Sequence, residues 1–363
     1  MKKEVLISAV VFVLLMLCFQ SVSAVNIGAS VGIEMQTEQF KPLIWMCQYR
    51  IVYDDNIERG RPEGGNELEE RINNYAFTGE QITWEVLVMD KNGIEKVKDV
   101  YVAVGAQGSE QYIEANCQLN NEGSYIMGCC NARIGEEKLE KGDWDPKLMA
   151  YYKCTFTVEP QMHGEYWMHA VVTDLDDQST AVDEDEYWFF NPEIQLKITG
   201  DIDFGKVRPG TTAYSPTIAV QNGAEAGSGV LLDMFISGTD FYDPSHSGAK
   251  CPITNQLKLG DGDRDCDDSD PFCYYAVNGA YSTREDWDCD SEGYVGIRYG
   301  DHFDSTFYDH NEIIRSDDPL PIYYLANILA PEAEMSITFR LNLPEPCNGD
   351  FTDGNIFFWA EAI

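Results

Sequence analysis

Short segments in which apolar and polar residues alternate recur along most of the chain. In EYWMHAVVTD (165–174), for example, Tyr166, Met168, Ala170 and Val172 fall on one face of an extended strand. Comparable segments are ITWEVLVMD (82–90), VYVAVG (100–105), YYKCTFTVE (151–159), IQLKITG (194–200), TIAVQN (217–222), VLLDMFISG (230–238), YVGIRYG (294–300), MSITFRLNLP (335–344) and IFFWAEAI (356–363). Turn residues separate them, as in DKNGIE (90–95), where Asn-Gly predicts a tight hairpin. Short strands with frequent turns predict an all-β protein made of antiparallel, immunoglobulin-like β-sandwiches.

A border between two such sandwiches is predicted near FFNPEIQLKITG (189–200), where Asn-Pro ends one strand and a new strand follows. We therefore expect an N-terminal domain over 25–191 and a C-terminal domain over 192–363. The second domain has strands at its two ends and a long segment between them, about 240–330, that is rich in Asp, Gly, Tyr and Cys. This segment predicts a disulfide-rich acidic insert.

The first 24 residues have the pattern of a secretory signal peptide. Lys2 and Lys3 precede the apolar run 5–19, and the small residues at 22–24 predict cleavage after Ala24. The alternative is an uncleaved anchor, but the run is shorter than the roughly 20 residues of a spanning helix. No second such run follows, so the sequence predicts an extracellular or cell-surface protein without a transmembrane segment after cleavage.

The formal charge of −37 excludes nucleic acid as a partner, because no basic surface is available to neutralise phosphates. It favours divalent cations and cationic partners. At 44% hydrophobic residues the chain has the composition of a folded protein.

Ten cysteines follow the signal peptide, and an even number in a secreted chain predicts disulfides. The disulfide candidates are Cys47, Cys117, Cys129, Cys130, Cys154, Cys251, Cys266, Cys273, Cys289 and Cys347. Five lie on each side of the predicted border, which leaves either one unpaired cysteine per domain or one bridge between domains. Cys347 is the candidate for the unusual partner. A bond between the neighbours Cys129 and Cys130 would be strained, so each is expected to pair elsewhere.

Two clusters of alternating aspartates raise the possibility of calcium, a cation that takes six to eight oxygen ligands. They lie in GDGDRDCDDSDPFC (260–273) and EDWDCDSE (285–292). The candidate ligands are Asp261, Asp263, Asp265, Asp267, Asp286, Asp288 and Asp290. An EF-hand is not predicted, because Cys266 and Phe272 occupy its glycine and glutamate positions. A bridge from Cys266 or Cys273 to Cys289 would join the clusters around one ion; in the alternative, the carboxylates are solvated.

Catalytic motifs are not found in the sequence, so no catalytic residue is assigned and an enzyme is the third-ranked hypothesis. In GDHFDSTFYDHNE (300–312), the side chains of His302, Asp304, Asp309 and His310 are either transition-metal ligands or part of a polar loop. Trp144 and Trp287 lie in polar loops and are the candidate ligand-binding aromatic residues.

The stretch ITGDIDFGKVRPGTTAYSPTIAVQNGAEAGSGVLLDMFISGTDF (198–241) resembles Hydin-type immunoglobulin-like domains and the camelysin and TasA-like matrix proteins. The matching residues are Asp203, Phe204, Gly205, Val207, Gly210, Asn222 and Gly223. The glycines would bend the chain between strands, the Asn-Gly pair would turn it, and Phe204 and Val207 would be core residues. A TasA-like protein would be a fibre subunit. The segment 71–105 and the C-terminal segments LNLPEPCNGDF (341–351) and FWAEAI (358–363) carry a further resemblance, over the whole chain, to secreted proteins of small-genome archaea. This resemblance implies location and architecture only.

These observations predict a secreted, non-catalytic cell-surface protein with a structural or adhesive role. The alternative is an extracellular carbohydrate-binding module that depends on calcium, the one cofactor that the sequence suggests. The expected partners are other surface proteins, further copies of the chain, or carbohydrate. The strand-like start VNIGASVGIEM (25–35) either pairs within its own domain or completes the sheet of a neighbouring molecule.

Overall fold

The computed structural model describes most of the chain, and all statements below concern these residues. They are 34–53, 68–69, 73–106, 112–120, 123–130, 139, 141–182, 186–245, 248–252, 254–260, 264–267, 270–279, 281–300, 311–315 and 323–363. In this part of the chain the secondary structure consists of strands and four short 3₁₀ turns: Ile94–Lys96, Lys141–Asp143, Thr283–Glu285 and Leu325–Asn327. Residues 1–33, which include the predicted signal peptide and nearly all of the segment 25–35, lie outside the described residues.

The N-terminal half forms one continuous sheet that folds over on itself. Its strands are β1 (Leu43–Tyr53), β2 (Leu68–Glu69), β3 (Tyr75–Ala76), β4 (Gln81–Met89), β5 (Val97–Ala106), β6 (Ile113–Asn120), β7 (Met149–Thr157), β8 (Gly164–Asp174), β9 (Ser179–Ala181) and β10 (Glu186–Phe190). The order is β2-β1-β4-β7-β6-β5-β8-β10-β3, with β9 beside β8. The first half of β6 pairs with β5 and the second half with β7, so the fold-over occurs at this strand.

Alternation along the strands places the apolar residues in the space that this folded sheet encloses. On β8 the buried residues Met168, Ala170 and Val172 face the core, as the sequence pattern predicts. They meet Trp84 of β4 and Trp188 of β10, whose rings pack edge to face at 5.9 Å. Such packing excludes water from both layers and is the main stabilising contribution in a sandwich.

The C-terminal half contains a second, separate pair of layers. Its strands are β11 (Leu196–Thr199), β12 (Thr212–Tyr214), β13 (Ile218–Asn222), β14 (Leu232–Gly238), β15 (Phe241–Tyr242), β16 (Gln256–Leu257), β17 (Phe272–Asn278), β18 (Tyr281–Ser282), β19 (Val295–Gly296), β20 (Ile328–Leu329), β21 (Glu334–Asn342) and β22 (Ile356–Ala362). One sheet has the order β11-β13-β21-β17-β18, and the other has the order β20-β14-β22. Met234 of β14, Tyr274 of β17 and Phe339 of β21 are fully buried between them.

The predicted fold class is confirmed: the protein is all-β, with multiple antiparallel sheets arranged as two sandwiches and stabilised by disulfides. The predicted insert over 240–330 differs from the structure in one respect. Strand β17 (Phe272–Asn278) lies inside that segment and is central to its sheet, between β21 and β18. The acidic stretch directly before this strand concealed it in the sequence, because its aspartates interrupt the alternation up to Asp270. The domain border near 191 stays a prediction.

Side chains from the N-terminal half enter the second core. Tyr75 of β3 and Phe189 of β10 are buried there, and the Tyr75 hydroxyl donates to the carbonyl of Ile363 at 2.5 Å. Asn73 also donates to the carbonyl of Gly229 at 2.7 Å. The sandwiches therefore share buried contacts in addition to the covalent connection.

The hairpin predicted at DKNGIE (90–95) is wrong. Strand β4 pairs with β1 and β7, whereas β5 pairs with β6 and β8, so the two strands lie on opposite sides of the first core. The Asp90 carboxylate accepts the amide of Asn92, and Gly93 has a φ of 124° before a 3₁₀ turn. The segment is thus a crossing between layers, because the apolar residues of β4 and β5 must face each other across the core.

Within the segment that resembles Hydin-type domains, Phe204 and Val207 are partly buried against the second core, and Gly205 and Gly210 have positive φ values of 59° and 73°. Asn222 is fully buried at the end of β13. Its amide donates to the carbonyls of Val230 and Leu329, at 3.0 and 2.8 Å, and its oxygen accepts the amide of Ala224. Asn222 therefore links β13 to the opposite sheet in addition to turning the chain.

The crossing at Asp90 generates a prediction about pH. Asp90 is 1% exposed, and its Oδ2 has no hydrogen-bond partner among the described residues. Burial, together with the buried Asp174, raises the pKa of Asp90. Because the folded state then binds the Asp90 proton more tightly than the unfolded chain, stability falls as pH rises from about 3.9 through the raised pKa.

We expect Asp90→Asn to remove this loss and to stabilise the protein at neutral pH by on the order of 1 kcal/mol. The exposed neighbour Asp176→Asn is the control. Urea unfolding between pH 4 and pH 8 measures both variants, and an Asp90→Asn curve parallel to that of the wild type would contradict the assignment.

Candidate functional site

A buried arginine organises the acidic end of the second sandwich. Arg264 is 6% exposed, and its Nε and Nη2 donate to Oδ2 of Asp286 at 2.9 and 2.5 Å. Its Nη1 donates to the carbonyl of Glu312 at 2.6 Å and to the hydroxyl of Tyr274 at 3.3 Å, and Nη2 also reaches the carbonyl of Ile313. One guanidinium therefore joins three segments that are distant in sequence; we call these five residues the Arg264 anchor.

Local turns set Asp286 in position. The 3₁₀ turn Thr283–Glu285 begins after β18, and the Glu285 carboxylate accepts the amide of Ser282 at 2.9 Å. The Thr283 hydroxyl donates to the carbonyl of Gly293 at 2.7 Å and accepts the amide of Ala276 on β17. These bonds hold both ends of the loop 283–293 against the sheet, so Asp286 points inward.

The charges of the Arg264 anchor compensate one another in a buried setting. Burial alone would lower the pKa of Arg264, but Tyr274 and Asp286 raise it above its usual value. Burial likewise raises the pKa of Tyr274 to about 12, so its hydroxyl stays protonated and donates to the carbonyl of Ile313 at 2.8 Å. Arg264 and Tyr274 therefore both keep their protons across the physiological pH range.

A second arginine, Arg340, pairs with an aspartate of the same loop on the outer face of the sheet. Arg340 of β21 donates to Oδ2 of Asp290 at 2.6 Å, and its guanidinium lies 4.5 Å from the ring centre of Tyr294. Burial alone would raise the pKa of Asp290, but the amides of Tyr294 and Glu292 and the Arg340 side chain lower it. Asp290 is therefore ionised, and its carboxylate accepts three hydrogen bonds, of which the one from Arg340 is also an ion pair.

The aspartates predicted to bind calcium thus fall into different surroundings. Asp261 and Asp263 lie outside the described residues, and Asp265 and Asp267 are exposed. Asp286 and Asp290 face Arg264 and Arg340, and Asp288 lies 3.9 Å from Arg315. The second cluster is therefore balanced by arginines, and the repulsion between its carboxylates is relieved without a bound cation. A calcium site would rest mainly on the first cluster, and it stays a prediction.

The two candidate tryptophans differ. Trp287 is 71% exposed. It lies between Asp286, which is hydrogen-bonded to Arg264, and Asp288, which is close to Arg315. Trp144 is half-buried instead of exposed, because it stacks on Tyr151 with ring centres 5.3 Å apart and packs against a small third core. Trp287 is consequently the better placed of the two for contact with a ligand.

Eight of the ten cysteines form disulfides, and every pair lies within one half of the chain. The pairs are Cys47–Cys130, Cys117–Cys154, Cys251–Cys347 and Cys266–Cys273. One cysteine per half is unpaired, Cys129 and Cys289, which was the first of the two alternatives.

Three of the cysteine expectations are corrected. Cys347 pairs with Cys251 inside the second sandwich, so it does not connect the halves. Cys129 is a thiol although it was expected to pair. The bridge from Cys266 or Cys273 to Cys289 does not form, because Cys266 bonds to Cys273 across the short loop before β17. The Arg264 anchor, and no disulfide, therefore brings the two acidic segments together.

Arg264 and Arg340 were not identified from the sequence. A signal for Arg264 existed: it is the one cation within GDGDRDCDDSDPFC (260–273), where a basic residue among so many acids is well placed to become buried with one of them. The metal candidates His302, Asp304, Asp309 and His310 lie outside the described residues.

Comparisons with known proteins yield one curated relative. No family model matches the chain. The uncharacterised protein MJ0289 of Methanocaldococcus jannaschii is 25% identical over 187 residues, and the match covers 48% of this chain and 52% of the relative. The chain thus aligns with about half the length of that protein. The match is consistent with the expected likeness to archaeal proteins; the resemblance to Hydin-type and TasA-like modules stays a prediction.

Similar solved structures include C-terminal domains of two streptococcal proteins. The C-terminal domain of the Streptococcus agalactiae AgI/II polypeptide BspA has a TM-score of 0.28 and 10% identity, covering 86% of this chain and 96% of that one. The C-terminal domain of the Streptococcus pyogenes antigen I/II-family protein AspA has a TM-score of 0.28 and 9% identity, covering 90% and 97%. TM-scores of this size do not bear on function.

The Arg264 anchor generates a prediction about stability. Arg264→Met leaves Asp286 buried without its counter-ion, and we expect a loss of about 3–5 kcal/mol in the free energy of unfolding. Arg264→Met combined with Asp286→Asn removes both charges and recovers a large part of this loss. Guanidinium unfolding measures the free energy of unfolding of the wild type and of both variants. The control is Lys98→Met at the exposed Lys98–Asp177 ion pair, for which we expect no measurable change in stability. Equal stability of the two Arg264 variants would contradict a paired buried charge.

Proposed function

We propose that this protein is a secreted, non-catalytic protein that has a structural or adhesive role at a cell surface. The four disulfides fit an oxidising, extracellular compartment. Among the described residues, no helix is long and apolar enough to cross a membrane.

The proposal rests on the exposure of Trp287 in a loop whose neighbouring residue is anchored in the protein interior. The indole is 71% exposed, while the adjacent Asp286 is tied to Arg264 in the interior. A large aromatic side chain held in position loses little entropy on binding, and tryptophan is enriched among the residues that contribute most to protein interfaces. We infer that Trp287 is a contact residue for another surface protein or for a further copy of the chain.

A second candidate function is calcium-dependent carbohydrate binding. Trp287 favours it because a flat apolar ring beside carboxylates offers both stacking and hydrogen bonding to a sugar. In that case calcium would bind on the side of Asp265 and Asp267, since Asp286 and Asp290 are paired with arginines.

Binding of the labelled secreted protein to intact producing cells tests the role of Trp287. We expect Trp287→Ala to weaken binding by about tenfold or more, equivalent to about 1.4 kcal/mol. The matched control is Tyr281→Ala, which removes another exposed aromatic side chain from the same region. Unchanged binding by Trp287→Ala would contradict the proposed contact.

A glycan array and electron microscopy separate the candidate functions. Filaments, lattices or glycan-independent cell binding support the structural or adhesive role. Two results together support the carbohydrate-binding alternative and overturn the first proposal. Glycan binding is lost when calcium is chelated, and calcium raises the melting temperature of the wild type but not that of Asp265→Asn.

A further inference from the structure

Three sulfur atoms meet on the outer side of the first sandwich. Cys47 of β1 is bonded to Cys130, and both residues are fully buried. Cys129, the preceding residue in the turn, carries a thiol and is half-buried. The three Sγ atoms lie within 4.8 Å of one another. A free thiol is therefore next to both sulfurs of a disulfide.

The turn that carries Cys129 and Cys130 is fastened on its N-terminal side. The Tyr151 hydroxyl accepts the amide of Met127 at 2.9 Å and donates to the carbonyl of Tyr125 at 3.1 Å. The amide of Cys130 in turn donates to the carbonyl of Met127 at 3.1 Å. Both cysteines are thus kept beside Cys47, whichever of them is bonded to it.

Gly128 gives the turn room to rearrange. A Cβ built at this glycine would meet no atom of the described residues within 4 Å, so no described side chain blocks that side of the turn. A shift of the turn that exchanges Cys129 for Cys130 would not require repacking at Gly128.

The chemistry needs no oxidant or reductant. The thiolate of Cys129 attacks Sγ of Cys47, the Cys47–Cys130 bond breaks as a Cys47–Cys129 bond forms, and the Cys130 thiolate leaves and takes up a proton. Attack on Sγ of Cys130 would instead join two adjacent residues in a strained ring. The thiolate is therefore expected to attack Cys47. The three cysteines contain one disulfide and one thiol both before and after the exchange.

We propose that Cys47, Cys129 and Cys130 form a thiol–disulfide exchange site in which Cys47 alternates between two bonding partners. The free thiol is Cys129 in one form and Cys130 in the other. This site is separate from the Arg264 anchor and from Trp287, so its test is independent of the proposed function.

Cys289 provides the internal control. Its Sγ lies 3.6 Å from the carbonyl of Arg284, and burial and the neighbouring Asp286 and Asp290 raise the pKa of its thiol. Among the described residues, only Cys47, Cys129 and Cys130 form a group of three His, Cys, Asp or Glu side chains whose ligand atoms all lie within 4.8 Å of one another. Cys289 does not belong to this group. Cys289 should react as a thiol without exchanging partners.

The first test counts thiols in the secreted protein after denaturation without reductant. The wild type has two thiols among its last ten cysteines, Cys129 and Cys289. In Cys130→Ser we expect one thiol, Cys289, because Cys47 bonds to Cys129, and peptide mass spectrometry should recover that pair. Three thiols in a folded Cys130→Ser protein would overturn the proposal. Cys289→Ser should keep the Cys47–Cys130 pair.

The second test uses the wild type and does not depend on the folding of a variant. The native protein is incubated at about pH 8, where cysteine thiolates are populated, then quenched in acid, denatured and alkylated with a reagent that acts at low pH. We expect label on both Cys129 and Cys130, and no label on Cys130 in Cys129→Ser. Label confined to Cys129 and Cys289 in the wild type would overturn the proposal.

Discussion

The pairing of Arg264 with Asp286 is the interaction on which the arrangement of the second sandwich depends. A buried guanidinium is tolerated only if its charge is balanced and its N–H groups have acceptors. Here the balance comes from Asp286, and the acceptors come from Asp286, Tyr274 and the chain at 312–313. Because these groups belong to separate segments, satisfying one side chain fixes the position of all of them.

Charge balance also explains how such an acidic chain folds compactly. At −37 the protein has far more carboxylates than cations, and most of them must remain in water. The arginines are used where carboxylates come close to the sheets: Arg264 inside, Arg340 on the outer face and Arg315 beside Asp288. The loop 283–293 is thereby held in place while Trp287 stays exposed. A stable framework with an aromatic residue at its surface is the physical basis of the proposed role in surface contacts.

Much of the fold was predictable because it depends on local alternation. Strands β4, β8 and β21 have an apolar face that matches a core, and their bounds agree with the pattern to within a few residues. Strand β17 is not evident in the sequence, because it has only seven residues and directly follows a stretch rich in aspartates. The Asn-Gly hairpin was wrong because the pairing of β4 and β5 is decided by the core they enclose, and a turn propensity of a few tenths of a kcal/mol does not outweigh that burial.

The site was less predictable, since it depends on contacts between distant residues. The aspartates of 285–292 are close together in the sequence, but their compensating charges come from positions 264, 315 and 340. The same applies to the cysteines: the count predicted disulfides and an unpaired residue in each half, whereas only three-dimensional proximity distinguishes Cys129 from Cys130 as the partner of Cys47.

Hydrogen–deuterium exchange of the native protein tests the central claim that the Arg264 anchor holds the acidic loop firmly against the second sandwich. The informative amides are those of Asp286, Gly296 and Ile313, which donate to the carbonyls of Thr283, Arg264 and Met234. The account predicts that they are protected to a degree comparable with the central strands β17 and β21, in the presence of a calcium chelator as well as without it. Exchange of these three amides at the rate of an exposed loop would contradict it.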